Sequence, residues 1–162
     1  MSVNVTRRTV DTVHVVVESK KPFAVVRAAL VSAVPQLDPE IPELVANGVT
    51  DRLKQRLDAL AELSIFSEFN HGAVLGLYGK QLGAVQYLIG NPLTASTMTR
   101  YDLAAGLYAP LRVILYETEA GGSRFEYDLP SSLFGQFGDD RITEVAYGLD
   151  IALSRLLSSA AG

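Results

Sequence analysis

The segment Arg112-Val113-Ile114-Leu115-Tyr116-Glu117, followed by Gly121-Gly122 and then Arg124-Phe125-Glu126-Tyr127, decides the fold. Its alternation sets Val113 and Leu115 against Ile114 and Tyr116, and Phe125 and Tyr127 against Arg124 and Glu126. That is the pattern of an antiparallel hairpin buried on one face. Working back along the chain, Ile65 to Phe69 and Ala73 to Tyr78 flank Asn70-His71-Gly72, which predicts a second hairpin, because asparagine and glycine tolerate the positive φ of a tight turn. Ala84 to Ile89 reads as a further strand, and the β-branched run within Val10 to Val17 as the first, with Thr12 and His14 on the face opposite Val13 and Val15.

Helices alternate irregularly with these strands. Pro22 suits the first turn of a helix carrying Phe23, Val26, Leu30 and Ala33, which should stop near Pro35. Pro35 to Pro42 is proline-dense and predicts a loop. Thr50 or Asp51 caps a second helix whose stripe Leu53, Leu57 and Leu60 faces the core, ending by about Leu63. Pro92 to Tyr101 reads as a short helix, followed by a loop at Leu103 to Gly106. Asp139-Asp140 opens the longest helix, with the apolar stripe Ile142, Val145, Leu149, Leu153 and Leu156. Ser158 to Gly162 is expected to be a frayed tail. Hairpins without regular βαβ alternation predict an α+β fold, a largely antiparallel sheet with helices packed mainly on one face.

The 162 residues, 48% hydrophobic and 20% charged, suit one domain over residues 1 to 162. At this length folding removes roughly 70% of the unfolded surface from water, enough for a core without metal or disulfide staples. The absence of cysteine excludes disulfides, thiolate nucleophiles and thiolate metal sites. A formal charge of -4 without a basic cluster argues against nucleic-acid binding. The first residues, Met1 to Arg8, lead into Thr9, Asp11, Thr12 and His14 rather than an apolar segment, so neither a signal peptide nor a membrane span is expected and the location is read as cytoplasmic.

Three further stretches sharpen the picture: Tyr87-Leu88-Ile89-Gly90-Asn91-Pro92, then Gly106-Leu107-Tyr108-Ala109-Pro110-Leu111-Arg112-Val113-Ile114-Leu115-Tyr116-Glu117, then Phe125-Glu126-Tyr127-Asp128 after the glycine turn. In this order they resemble the bacterial domain-of-unknown-function family 302. The resemblance is loose over most of the chain and more specific over about residues 87 to 130. It implies a compact α+β domain that associates as a homodimer, with no established activity. Members often carry a cysteine just before the asparagine–proline pair and another after the later proline. Gly90 and Leu111 stand at those positions here, so no thiol chemistry carries over.

Catalytic motifs are sparse. His14 and His71 are the only imidazoles, and no His-x-x-x-His or Glu-x-x-His pair accompanies them, so no metal or other cofactor is expected. His14, inside an apolar strand, reads as a hydrogen-bonded structural residue; His71 sits in a predicted turn, where either a turn-forming or a functional role fits. Gly79-Lys80 lacks the remaining glycine and hydroxyl of a phosphate loop, and neither a dinucleotide fingerprint nor a Gly-x-Ser-x-Gly elbow occurs.

The densest polar set is Asn91, Arg100, Tyr101, Asp102, Tyr108 and Arg112. With His71, these form the candidate ligand-binding residues. Arg100 and Arg112 can grip a carboxylate or phosphate in bidentate fashion, with Tyr101 and Tyr108 as amphipathic walls. The structural alternative has Asn91 bracing the turn before Pro92, Asp102 pairing with Arg100, and Tyr108 packing at a strand entrance. Phe134 and Phe137 either line a pocket or subunit contact or pack on the final helix. The leading functional reading is a non-catalytic module that binds a small, anionic ligand or a protein and forms a homodimer. The alternative is a small cofactor-independent enzyme in which His71 exchanges protons while Arg100 or Arg112 holds an anionic substrate. A third reading, haem or metal carriage by the histidines, predicts a coloured or metal-bearing protein.

Overall fold

A computed structural model describes all 162 residues. The elements run β1 (His14–Ser19), α1 (Phe23–Ala33), α2 (Glu40–Ala46), α3 (Thr50–Asp58), β2 (Ser64–Asn70), α4 (His71–Leu75), β3 (Ala84–Gly90), α5 (Pro92–Thr99), β4 (Leu111–Glu117), β5 (Ser123–Asp128), α6 (Pro130–Phe134) and α7 (Asp140–Ala161), with 3-10 turns at Gly76–Tyr78, Leu103–Tyr108 and Gly135–Phe137. The sheet order is β1-β5-β4-β3-β2 and every pair is antiparallel. The fold is α+β. Strands β2 to β5 meander, while β1 returns to the free side of β5, pairing His14 with Asp128 and Ser19 with Ser123.

The alternation read in β4 and β5 governs the layering. Val113, Leu115, Phe125 and Tyr127 are buried with Val85, Tyr87 and Ile89 of β3, and α1 and α7 cover them with Val26, Leu30, Ile142, Ala146, Leu153 and Leu157. Two-residue periodicity thus assigns one side of each strand to the helices. Opposite, Val16 and Phe69 are exposed, and Leu88 and Ile114 half-buried, with no helix over them.

Several sequence expectations shift. The first strand begins at His14 rather than Val10, because the ladder starts where Asp128 of β5 supplies a partner. Pro35 to Pro39 is irregular as expected, but α2 starts at Glu40 and includes Pro42. A proline in the first turn forfeits only an N–H that has no helical acceptor, and buried Ile41 and Leu44 anchor the helix. In α3 the stripe Leu53, Leu57 and Leu60 is only half-buried, and the helix ends at Asp58.

Ala73 to Tyr78 is not a strand. The Asn70 side chain accepts a 2.9 Å hydrogen bond from the Ala73 N–H and caps α4, which runs into the Gly76–Tyr78 turn, so β2 finds its antiparallel partner in β3 instead. The chain end is not frayed either: α7 continues to Ala161, Ala160 and Ala161 are buried, and Ser19 Oγ donates to the Ala161 carbonyl at 2.6 Å.

Gly72, in the first turn of α4, packs on the strand entrance. An added Cβ there would overlap the Leu82 carbonyl oxygen and lie 2.9 Å from the Ala84 nitrogen, both backbone atoms that cannot step aside. Nothing lies within 4 Å of a Cβ at Gly76. Gly72→Ala should therefore destabilise the protein by about 2–3 kcal/mol or more, and Gly76→Ala by no more than about 0.5 kcal/mol, in urea denaturation. Equal stability of the two variants would contradict this packing.

Candidate functional site

Strand β3 ends at Gly90, and the next side chain makes the corner. Asn91 Oδ1 accepts from the N–H groups of Leu93 at 2.8 Å and Thr94 at 3.2 Å, capping α5, while its Nδ2 donates to the Ala61 carbonyl at 2.9 Å. Pro92 occupies the first helical position, where its ring presets the backbone. One amide thus joins the α3–β2 connection to the β3–α5 corner.

Beneath this corner lies a cavity of about 270 Å³. Gly90, Asn91 and Pro92 form one side, and Thr94, Ala95, Ser96, Met98 and Thr99 of α5 another. Ala109, Pro110 and Leu111, around a cis Ala109–Pro110 peptide, face them. Phe66, Phe134 and Leu149 complete the lining. Phe66 falls at the register shift of β2 between Ile65 and Ser67, and such a bulge re-aims the extra side chain. Phe134 and Met98 are almost fully buried and belong to the floor. None of the lining side chains is charged.

Of the seven nominated residues, Asn91 alone lines this cavity. Asp102 accepts from the Ala104 N–H at 2.8 Å and caps the Leu103–Tyr108 turn; the pairing with Arg100 does not form. Arg100 instead hydrogen-bonds the Tyr101 hydroxyl and stacks 4.5 Å from that ring, which also carries the Arg141 guanidinium at 3.8 Å. Tyr108 packs edge-on against Phe134 and Phe137, at centroid distances of 6.2 and 6.1 Å. Arg112 is exposed on the uncovered sheet face, opposite Leu88.

His71 begins α4, with its ring edge-on to Phe69 at 4.8 Å. It follows Asn70, which pairs with Val85 at the start of β3, whereas Asn91 follows the end of that strand. At roughly 3.3 Å per residue the two positions stand well over 10 Å apart. His71, Arg100 and Arg112 all lie outside the cavity lining, and no hydrogen bond joins His71 to either arginine. The residues that sequence reasoning passed over are Phe66, Thr94, Ala95, Met98 and Thr99. A bulge and the turn of a short helix decide their direction, and neither leaves a periodic signature.

The other polar cluster lies on the uncovered sheet face. His14 Nε2 is 2.9 Å from Glu126 Oε2 and its Nδ1 3.1 Å from Asp128 Oδ1; these hydrogen bonds, that to Asp128 foremost, hold the imidazole above its ordinary range. Glu126 is held below the usual carboxylate range, first by the Tyr116 hydroxyl and then by His14. The ring nitrogens face carboxylates on opposite sides, so His14 braces β1 against β5. Both of its ring nitrogens are hydrogen-bonded, as read.

Comparisons with known proteins follow the same lines. The family model described as "Domain of unknown function DUF302" matches residues 43–160. The chain belongs to the DUF302 family. A crystal structure of an uncharacterized conserved DUF302 protein from Bacillus stearothermophilus superposes with a TM-score of 0.65 at 17% identity, covering 91% of this chain and 97% of that one. At that identity the likeness extends to the fold. No curated protein matches the chain. Every cavity-lining residue lies within the matched segment of this DUF302 protein.

Asp139 links the Tyr101 cluster to α7. It caps the helix through the Arg141 N–H at 2.9 Å and pairs with the Arg141 guanidinium at 2.6 Å, which lowers its carboxyl from 3.8 to about 2. A carboxyl depressed on folding lends stability that is complete above the unfolded value and fades as pH falls through the folded one. Asparagine caps a helix as well as aspartate, so Asp139→Asn removes the charge and keeps the cap. The wild type should be the more stable at neutral pH, and the difference should shrink between pH 3.8 and about 2. Urea titrations across that range test it; a pH-independent difference would contradict the ion-pair origin.

Proposed function

We propose that this DUF302 chain is a cytoplasmic, non-catalytic binding module of one α+β domain, which holds a small molecule in the cavity at the β3–α5 corner and works as a homodimer. The single observation that carries it is the cavity itself: a preformed space of about 270 Å³ at the junction of three elements, walled largely by apolar groups and rimmed by the Asn91 cap and the α5 hydroxyls. Pockets of this make-up are the usual seats of small ligands. The enzyme reading requires His71 beside Arg100 or Arg112, and the separation of the two ends of β3 gives it no support.

Filling the space is the direct test. Ala95 is half-buried on the cavity wall, and Ala95→Phe should occupy much of the volume. Ligand-observed NMR against a mixed fragment collection should find binders to the wild type that Ala95→Phe loses, with the variant's circular dichroism unchanged. Binders retained undiminished by the folded variant would refute the site.

The dimer reading rests on the family resemblance and on the uncovered sheet face, where exposed Val16 and Phe69 flank half-buried Leu88 and Ile114. A second copy laid on that face would bury these side chains. Light scattering should give twice the chain mass for the wild type and a monomer for Ile114→Glu, whose carboxylate would be trapped in the interface beside Glu126, its partner across β4 and β5. A wild-type monomer at all concentrations would sink the dimer.

A further inference from the structure

Resting on the cavity reading above, we infer that the cavity selects an uncharged, ring-shaped molecule of roughly ten non-hydrogen atoms and rejects anions of the same shape. The size follows from volume: a dry cavity of roughly 150 Å³ accepts benzene, so about 270 Å³ accommodates a bicyclic or monosubstituted ring. The ring shape follows from the walls, where the phenyl groups of Phe66 and Phe134 and the pyrrolidine rings of Pro92 and Pro110 belong to the lining.

Charge selection follows from how the polar groups are already committed. A helix N-terminus ordinarily attracts anions through its free N–H groups and dipole. At α5 the first of those donors are taken: Asn91 Oδ1 holds Leu93 and Thr94, and Nδ2 is tied to Ala61. Arg100, the nearest cation in sequence, is turned onto Tyr101, and neither it nor any other charged side chain reaches the lining. A carboxylate entering here would lose hydration with no cation to replace it and only hydroxyl and amide donors to hand, a cost that a neutral molecule of the same outline avoids. The hydroxyls of Thr94 and Thr99 remain suited to a single neutral donor or acceptor on the ligand, whereas Ser96 Oγ already donates to the Leu93 carbonyl at 2.6 Å.

Benzamide and benzoate give a matched comparison, since they share shape and size and differ in charge. Titrated into the full-length protein near neutral pH and followed by the methyl resonances of Ala95 and Met98, benzamide should bind ~10-fold or more tightly than benzoate. Folded Ala95→Phe should lose benzamide binding, and inorganic phosphate should leave those methyl resonances unmoved. Thr94→Val, which removes a hydroxyl without changing volume, should weaken benzamide and leave the fold intact. Benzoate binding as tightly as benzamide, or phosphate shifting the same methyls, would overturn the charge selection while leaving the cavity a ligand site. Should neither ring perturb the Ala95 and Met98 methyls while other fragments do so and are lost in Ala95→Phe, the ligand class assigned here is wrong and the binding reading stands. If no molecule of any class perturbs them, both fall.

Discussion

A single carboxamide sets the geometry on which the candidate site depends. Asn91 satisfies two α5 N–H groups and one carbonyl of the α3–β2 connection, all three of which would otherwise need water or another partner. Because those hydrogen bonds fix the angle at which the chain leaves β3, they also fix where Thr94, Ala95 and Met98 stand relative to Pro110 and Phe134. The same bonds use up the donors that would make the corner an anion site. One side chain thus both sets the corner and occupies the Leu93 and Thr94 N–H groups at the start of α5.

That economy recurs elsewhere. Asn70, Asp102 and Asp139 each accept from the N–H of a following helical turn, and Asp139 adds an ion pair to Arg141. Short side chains carrying an oxygen compete for nearby backbone N–H groups, so they gather at element boundaries in this chain as caps. The arginines follow a related rule. Arg100 and Arg141 both lie against Tyr101, and Arg124 reaches Glu18 at 2.5 Å and Tyr116 at 3.2 Å. Cations with aromatic or carboxylate neighbours on the same surface are engaged locally, and no free guanidinium is left aimed into the cavity.

How much of this was legible depended on whether local and tertiary forces agreed. In β4 and β5 they did: burial on one face writes a period of two directly into Val113, Leu115, Phe125 and Tyr127, and the register follows. In Ala73 to Tyr78 they did not, because a short apolar run fits either period and the Asn70 cap tipped it to helix. Pro42 disguised α2, since a proline tolerated in a first turn resembles one that ends a helix. The last turn of α7 was concealed by small residues: Ala160 and Ala161 carry little hydrophobic signal, yet both are buried and the Ala161 carbonyl accepts from Ser19 Oγ. For the site, Asn91 was visible as an asparagine–proline corner. The side chains that make the cavity apolar were not, because Phe66 is redirected by a bulge and Phe134 arrives from a distant element.

The family match and the folding unit have different extents, and the difference is informative. Sequence similarity to DUF302 starts at residue 43, past β1 and α1, while the structural likeness covers 91% of the chain. The helix left out of the sequence match is indispensable to the core: Val26 and Leu30 are wholly buried against the inner sheet face, and β1 closes the β5 edge. Without α1, the inner face would keep only the cover that α7 gives it, and without β1 the β5 edge would lose its partner. Burial asks only for apolar side chains of suitable volume, which many sequences supply, whereas Asn91 at the corner must both accept from the α5 N–H groups and donate to the Ala61 carbonyl. The matched segment holds both the cavity lining and most of the core, while the residues before it add β1 and α1 to the packing.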